Sequence, residues 1–279
     1  MYQMSVQDIT VCLFIYLVTL CNQLIGIYTQ NDQFCFFFVR DKTWKQSLFL
    51  KLIGNFVFYP FSDSSQSNHA SGCFTGDSTV QTSTGETRKL SELQIGEQVL
   101  SVDSSGNTVY SEVIMFMDRD THQSREFVHI EADGGAHLTV TPAHLVMVWQ
   151  KNEGKSLYLF ADRIQEGDYI LVNINSTIEP RKVLRISAKL SQGVYAPLTR
   201  EGTIVVDSIA ASCYALIDSQ SVAHLSFLPY RAVQKIMNLF RSSSQSRNLS
   251  LPRHGGINWY AKTLYAIKDF VIPNDWLYH

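Results

Sequence analysis

Residues 78–107, STVQTSTGETRKLSELQIGEQVLSVDSSGN, decide the fold. Short β-branched runs (Thr79-Val80-Gln81 and Gln98-Val99-Leu100-Ser101-Val102) alternate with turn signals, Ser83-Thr84-Gly85-Glu86 and then Asp103-Ser104-Ser105-Gly106-Asn107. Working outward, the same texture continues: TVYSEVIMFM (108–117), FVHIEA (127–132) before a DGG turn, HLTVT (137–141), LVMVWQ (145–150) before KNEGK, YILVNI (169–174), KVLRIS (182–187) and TIVVDSIAASCYALI (203–217). Many short strands at roughly ten-residue spacing predict an all-β body.

An internal similarity adds symmetry to that expectation. LSELQIGEQVL (90–100) resembles FADRIQEGDYIL (160–171) with one residue inserted in the second copy. Each copy places a short helical turn before a Gly-acid turn and a strand, and a further strand follows near Val113 and Val183. Duplication into two pseudo-symmetric β subdomains is the economical explanation.

Composition bounds the rest. The chain has 279 residues, 45% hydrophobic and 17% charged, enough for a sizeable core in one or two domains. With 23 Lys+Arg against 25 Asp+Glu it carries no field for drawing a polyanion, so no nucleic-acid partner is expected. Five cysteines without a Cys-x-x-Cys pair or a His/Cys cluster predict neither a disulfide-stapled miniprotein nor a metal site, and no cofactor motif is present.

Residues 1–61 form an apolar leader. The run VCLFIYLVTL (11–20) has the length of a signal-peptide apolar region and is short for a bilayer span, but the first basic residue is Arg40. A signal anchor and an incomplete or mistranslated start both fit. Residues 62–71 are a Ser-rich linker. The β body is expected over 72–218. Beyond it Val233, Ile236, Met237 and Phe240 recur at helical spacing, as do Ile257, Tyr260, Leu264, Ile267 and Val271, predicting two amphipathic helices that pack on the body.

Two local patterns carry chemistry. Cys73 follows Gly72 at the junction of linker and β body, where a thiol can attack the preceding carbonyl and convert the amide to a thioester; glycine permits the close approach. The second is Thr139-Val-Thr141-Pro-Ala-His144. An amide nitrogen leaves only when protonated, and imidazole exchanges protons near neutral pH, while Thr141 offers a hydroxyl to hold the amide twisted. Pro142 breaks the strand between them, so both side chains can converge. Alone, a Gly-Cys pair and a His after a strand are structural more often than catalytic.

Together, Gly72-Cys73-Phe74 and Thr141-Pro-Ala-His144, about seventy residues apart, resemble the autoprocessing Hint domain of hedgehog proteins, most like the arthropod members. The resemblance extends over FMDRD around Asp118, GGAHLTVTPAHL (134–145), FADRI (160–164), APLTREGTIVVDSIAASCYALI (196–217) and GINWYAKTLYAIKDFVIP (256–273). It implies an all-β, pseudo-two-fold Hint fold followed by a helical sterol-recognition segment over 219–279. It also implies self-cleavage at Gly72-Cys73 in two steps. Cys73 takes the Gly72 acyl group with Thr141 and His144 acting on the scissile amide, and the hydroxyl of cholesterol then attacks the thioester.

By position in the motif, Asp118 is implied as the base that activates the sterol, with Asp120 its nearest rival and a surface turn carboxylate the bland reading. The resemblance further implies Cys213 as a transient redox partner of Cys73 in an oxidising compartment, although its apolar strand equally suits a buried inert thiol. Trp259, Tyr260, Tyr265, Phe270 and Trp276 have a composition suited to a sterol or membrane interface. Implied partners are cholesterol, the chain's own N-terminal segment as acyl donor, and a membrane surface, in the secretory pathway. The family's signalling domain has no counterpart upstream of the linker. Rival readings are a cysteine protease acting in trans, whose usual signature is missing around Cys73; a splicing intein, whose terminal His-Asn is replaced by Trp276-Leu-Tyr-His279; and a non-catalytic sterol-binding relic.

Overall fold

The computed structural model describes residues 74–228, 230–231, 256–258, 260–265 and 277–278. Within them eleven strands form an antiparallel body: β1 (Thr79–Gln81), β2 (Thr87–Lys89), β3 (Gln98–Val102), β4 (Thr108–Ala132), β5 (His137–Val140), β6 (His144–Gln150), β7 (Lys155–Phe160), β8 (Tyr169–Ile174), β9 (Thr177–Thr199), β10 (Thr203–Val206) and β11 (Ile209–Ala215). β1 and β2 pair with each other. The remaining strands form one sheet in the order β10-β11-β6-β8-β9-β4-β3, with β5 on β4 and β7 on β6.

The duplication is present bond for bond. Gly96 donates to the Val113 carbonyl at 2.8 Å and Gly167 to that of Val183 at 2.9 Å; Val113 donates to Glu97 at 2.9 Å and Val183 to Asp168 at 2.7 Å. Each acid also accepts from a backbone N–H three residues upstream, Gln94 to Glu97 at 2.6 Å and Gln165 to Asp168 at 2.8 Å. Both glycines sit in the left-handed region, at φ 96° and 101°, which a side chain at either position would penalise. The Gly-acid pair is therefore a turn device that launches a strand, used once per subdomain. Leu90, Leu93 and Val99 of one copy and Phe160, Ile164 and Ile170 of the other are buried.

Two expectations need correction. The spacing predicts short strands, but β4 has 25 residues and β9 has 23, and they pair with each other along most of their lengths. Thr121–Ser124 and neighbouring β9 residues are exposed; a ribbon wetted on both faces has no hydrophobic alternation to read. The run at 203–217, expected as one strand, is a hairpin. It turns at Asp207 and Ser208, φ 49° and 67°, and the Asp207 carboxylate accepts from the Thr79 N–H and hydroxyl at 2.7 and 2.9 Å.

Beyond the body, helix α1 (Gln220–Ser226) begins at Ser219, whose hydroxyl accepts from the Val222 N–H. It starts earlier than the apolar spacing indicates; Val233, Ile236, Met237 and Phe240 lie outside the described residues, as do Ile267 and Val271. Residues 260–265 are helical, with Tyr260 buried and Ile257, Leu264 and Tyr265 packed against the core. Tyr260 is 2% exposed and its hydroxyl donates to the Ser226 carbonyl at 2.9 Å, tying this helix to α1. Trp259, Phe270 and Trp276 lie outside the described residues.

His224 of α1 contacts the Tyr214 hydroxyl at 2.9 Å and the Arg231 guanidinium. Burial, then the Arg231 charge, push its pKa down to about 4. The unfolded chain, with an ordinary histidine near 6.5, therefore binds more protons between about pH 6.5 and 4, and stability falls as pH drops through that window. Thermal melts of the wild type and His224→Gln at pH 7 and pH 5 are expected to show a smaller acid-induced loss of Tm in the variant.

Candidate active site

Phe74, the residue after Cys73, is fully buried and tied into the sheet on two sides. Its N–H donates to the Tyr195 carbonyl at 2.8 Å and its carbonyl accepts the Tyr195 N–H at 3.0 Å, and it also bridges Val140. One side leads through β5 to Thr141 and His144. The other leads through β9 to β4, where Asp118 stands opposite Ala196. A Cβ on Gly76 would come within 2.7 Å of the Tyr195 ring, so glycine is what lets the chain pass that ring. Gly72 and Cys73 themselves lie outside the described residues.

Thr141, Pro142 and Ala143 separate β5 from β6, and the His144 N–H donates back to the Thr141 carbonyl at 3.0 Å. Proline has no N–H and so interrupts the ladder here. The Thr141 and His144 side chains are both buried, and the imidazole meets the Phe74 ring edge to face at 4.4 Å. Its Nε2 is 2.8 Å from the Ser212 carbonyl on β11. A carbonyl only accepts, so Nε2 carries the proton and, in the neutral ring, Nδ1 is the basic nitrogen. The buried imidazole is thereby held in one tautomer, with Nδ1 as the atom able to exchange a proton.

Asp118 is not a surface turn carboxylate. Its residue exposure is 2%, and the Arg125 guanidinium lies 3.5 Å from Oδ2. It follows a bulge, because Phe116 faces Pro197 and Asp118 faces Ala196, leaving Met117 over; bulges of this kind re-aim side chains next to functional sites. Residues 256–258 flank it: Gly256 donates to the Arg119 carbonyl at 2.7 Å and Asn258 to that of Met117 at 2.8 Å. Asp120 has the turn role instead, accepting from the His122 and Gln123 N–H groups at 2.8 and 3.2 Å.

Cys213 is a buried free thiol on β11, 3.6 Å from the Thr199 hydroxyl. Burial pushes its pKa up to about 11, so near neutral pH it is a poor nucleophile. Ser212 meets the imidazole through its carbonyl and Tyr195 holds Phe74 through its carbonyl and N–H, backbone groups that carry no motif signal.

A buried, oriented imidazole and a buried carboxylate on one β scaffold, with Gly72-Cys73 just ahead of its first described residue in the sequence, define a class. The sequence matches the model of the Hint module over residues 61–273, and the chain belongs to that family. Its relatives place it among the hedgehog kind of Hint module. "Protein hedgehog" of Drosophila pseudoobscura pseudoobscura is 48% identical over 224 residues, 77% of this chain and 47% of that protein. That of Drosophila melanogaster is 48% identical over 222 residues, again 77% of this chain and 47% of that protein. The chain thus spans about half the length of these curated relatives. Among solved structures, a DnaB intein from Synechocystis is similar at TM-score 0.44 and 16% identity, over 53% of this chain and 100% of that one.

Proposed function

We propose that the chain processes itself: it cuts its backbone at Gly72-Cys73 and hands the released acyl group to cholesterol. The observation that carries this reading is His144, buried, fixed as the Nε2–H tautomer and packed on Phe74, one residue beyond the scissile pair. In the first step the Cys73 sulfur attacks the Gly72 carbonyl carbon and the carbon–nitrogen bond breaks. The leaving nitrogen takes up a proton through His144 while Thr141 holds the amide, leaving a thioester and a free Cys73 amine. In the second, the sterol hydroxyl attacks the thioester carbonyl, its proton passes to the Asp118 carboxylate, and the Cys73 thiolate departs. The N-terminal segment leaves as a cholesteryl ester.

The same reading assigns Cys213 as a redox partner of Cys73 before processing. With the Cys213 thiol pushed up to about 11 by burial, thiol–disulfide exchange would be initiated at Cys73. It also assigns the secretory pathway as the compartment, a membrane surface as the source of sterol, no cofactor and no nucleic-acid partner. The test is intact-mass measurement of the purified chain with dithiothreitol or with cholesterol. Fragments ending at Gly72 and starting at Cys73 are expected, with the first carrying the acceptor. The rate per molecule is expected to be independent of protein concentration; a rate that rises with concentration would identify a protease acting in trans.

A further inference from the structure

The Ser212 carbonyl that holds His144 is itself at an irregularity. β11 and β6 are in register at Ala211 with Val146 and at Ala215 with His144, and the register shifts between these points. Within the bulge the Tyr214 N–H donates to the hydroxyl of Ser212 at 2.8 Å. That hydroxyl in turn donates to Oε1 of Gln220, the first residue of α1. The Gln220 amide Nε2 donates to the Gly202 carbonyl at 2.9 Å, which also accepts the Cys213 N–H at 2.8 Å. A closed circuit thus runs from Gln220 through Ser212 and Tyr214 and back through Cys213 and Gly202, bracing the peptide whose carbonyl faces the imidazole.

We infer that Gln220 is a positioning residue for the thioester step, acting through Ser212 to aim the carbonyl that keeps His144 in its Nε2–H tautomer. This rests on the proposed self-cleavage and deepens it, because it ties the segment after Asp218 to the first chemical step as well as to sterol. A bulge is a soft place in a sheet: the extra residue has no ladder partner, and its peptide can rotate unless side chains hold it. Ser212 and Gln220 supply the missing bonds, and together they make a network in which each partner polarises the next. Without them the carbonyl has other orientations available and the buried imidazole has no fixed donor direction.

The test uses Gln220→Met, which keeps side-chain volume and removes both hydrogen bonds, and Ser212→Ala, which keeps the carbonyl and removes the hydroxyl. In the full chain carrying Cys73→Ala, which stays whole, ¹⁵N chemical shifts of the His144 ring report the tautomer directly. The Nε2–H form is expected to dominate in that parent and to lose population to the Nδ1–H form in both variants. In the cleavable chain, dithiothreitol-induced cleavage is expected to slow about 10- to 100-fold, the range for misplacing a reacting group from outside the reacting centre. The double variant is expected to be no slower than the worse single one, since both act on one peptide. Leu225→Ala, an exposed change on the same helix, is expected to leave ring shifts and rate unchanged. Unaltered His144 shifts and an unaltered rate in Gln220→Met would overturn the assignment. A parent chain that dithiothreitol fails to cut would instead sink the self-cleavage reading, and the ring shifts would still decide the role of Gln220.

Discussion

Cys73→Ala is expected to leave the chain whole, and His144→Ala to cut it far more slowly, in dithiothreitol and in cholesterol alike. Without the Cys73 sulfur there is no thioester for any acceptor to resolve, so the loss is complete. His144→Ala retains the sulfur but removes the only buried imidazole facing the start of the β body among the described residues. Loss of a positioned acid or base costs about 10²- to 10⁴-fold, and both acceptors depend on the thioester, so both reactions fall by the same factor. His144 also packs on the Phe74 ring, and its removal opens space in the core. His144→Gln is the companion variant: it fills most of that space, can reach the Ser212 carbonyl with its amide, and has no proton to exchange near neutral pH. Equal loss of cleavage in both variants, with Tm close to wild type for Gln, assigns the effect to chemistry. Thiol cleavage at the wild-type rate in His144→Gln would remove His144 from the mechanism.

The legible part of this molecule was the part written in side-chain pattern. The Gly96-Glu97 and Gly167-Asp168 turns announce themselves because left-handed backbone and an acid that caps its own turn both demand particular residues, and the matching strands then follow by alternation. Thr141 and His144 flank a feature that is legible for a similar reason: Pro142 marks the break between β5 and β6. What was hidden falls into two physical kinds. The middle of the β4–β9 ribbon, around Thr121–Ser124 and Ser187–Leu190, has exposed side chains on both strands, so no hydrophobic alternation there joins the flanking strand segments into one. The Ser212 carbonyl, the Tyr195 peptide and the bulge at Met117 are backbone features set by tertiary register, and no residue type is diagnostic of them. Asp118 shows the limit most clearly. Inside FMDRD it reads as one of two acids in a polar turn, and only the extra residue at Met117 turns it inward while Asp120 stays with the turn.

That division of labour gives the sharpest separation of the two steps. Asp118→Asn keeps the shape of a residue that is 2% exposed and removes the base; like Asp118→Ala it takes the anion from beside the Arg125 guanidinium, but it leaves an amide oxygen there to accept a hydrogen bond, whereas Asp118→Ala removes that acceptor too and destabilises more. Neither substitution touches the Cys73 thiol, the scissile amide or the imidazole. Dithiothreitol, whose thiolate needs no base, is therefore expected to cut Asp118→Asn at close to the wild-type rate. Cholesterol is different: its hydroxyl is a weak nucleophile that must shed a proton as it attacks, so loss of the base falls on the second transition state alone. Ester formation is expected to drop by about 10² or more. Cutting the chain at Asp218 does not offer the same split, because it removes Gln220 from Ser212 and residues 256–258 from the edge of β4 at Met117–Arg119; such a truncation is expected to lose thiol cleavage as well. Paired mass measurements on Asp118→Asn with the two acceptors read the separation directly. Sterol ester formed at the wild-type rate would move the base elsewhere, with Asp120 the next to replace, and equal loss with both acceptors would place Asp118 in the scaffold of the first step.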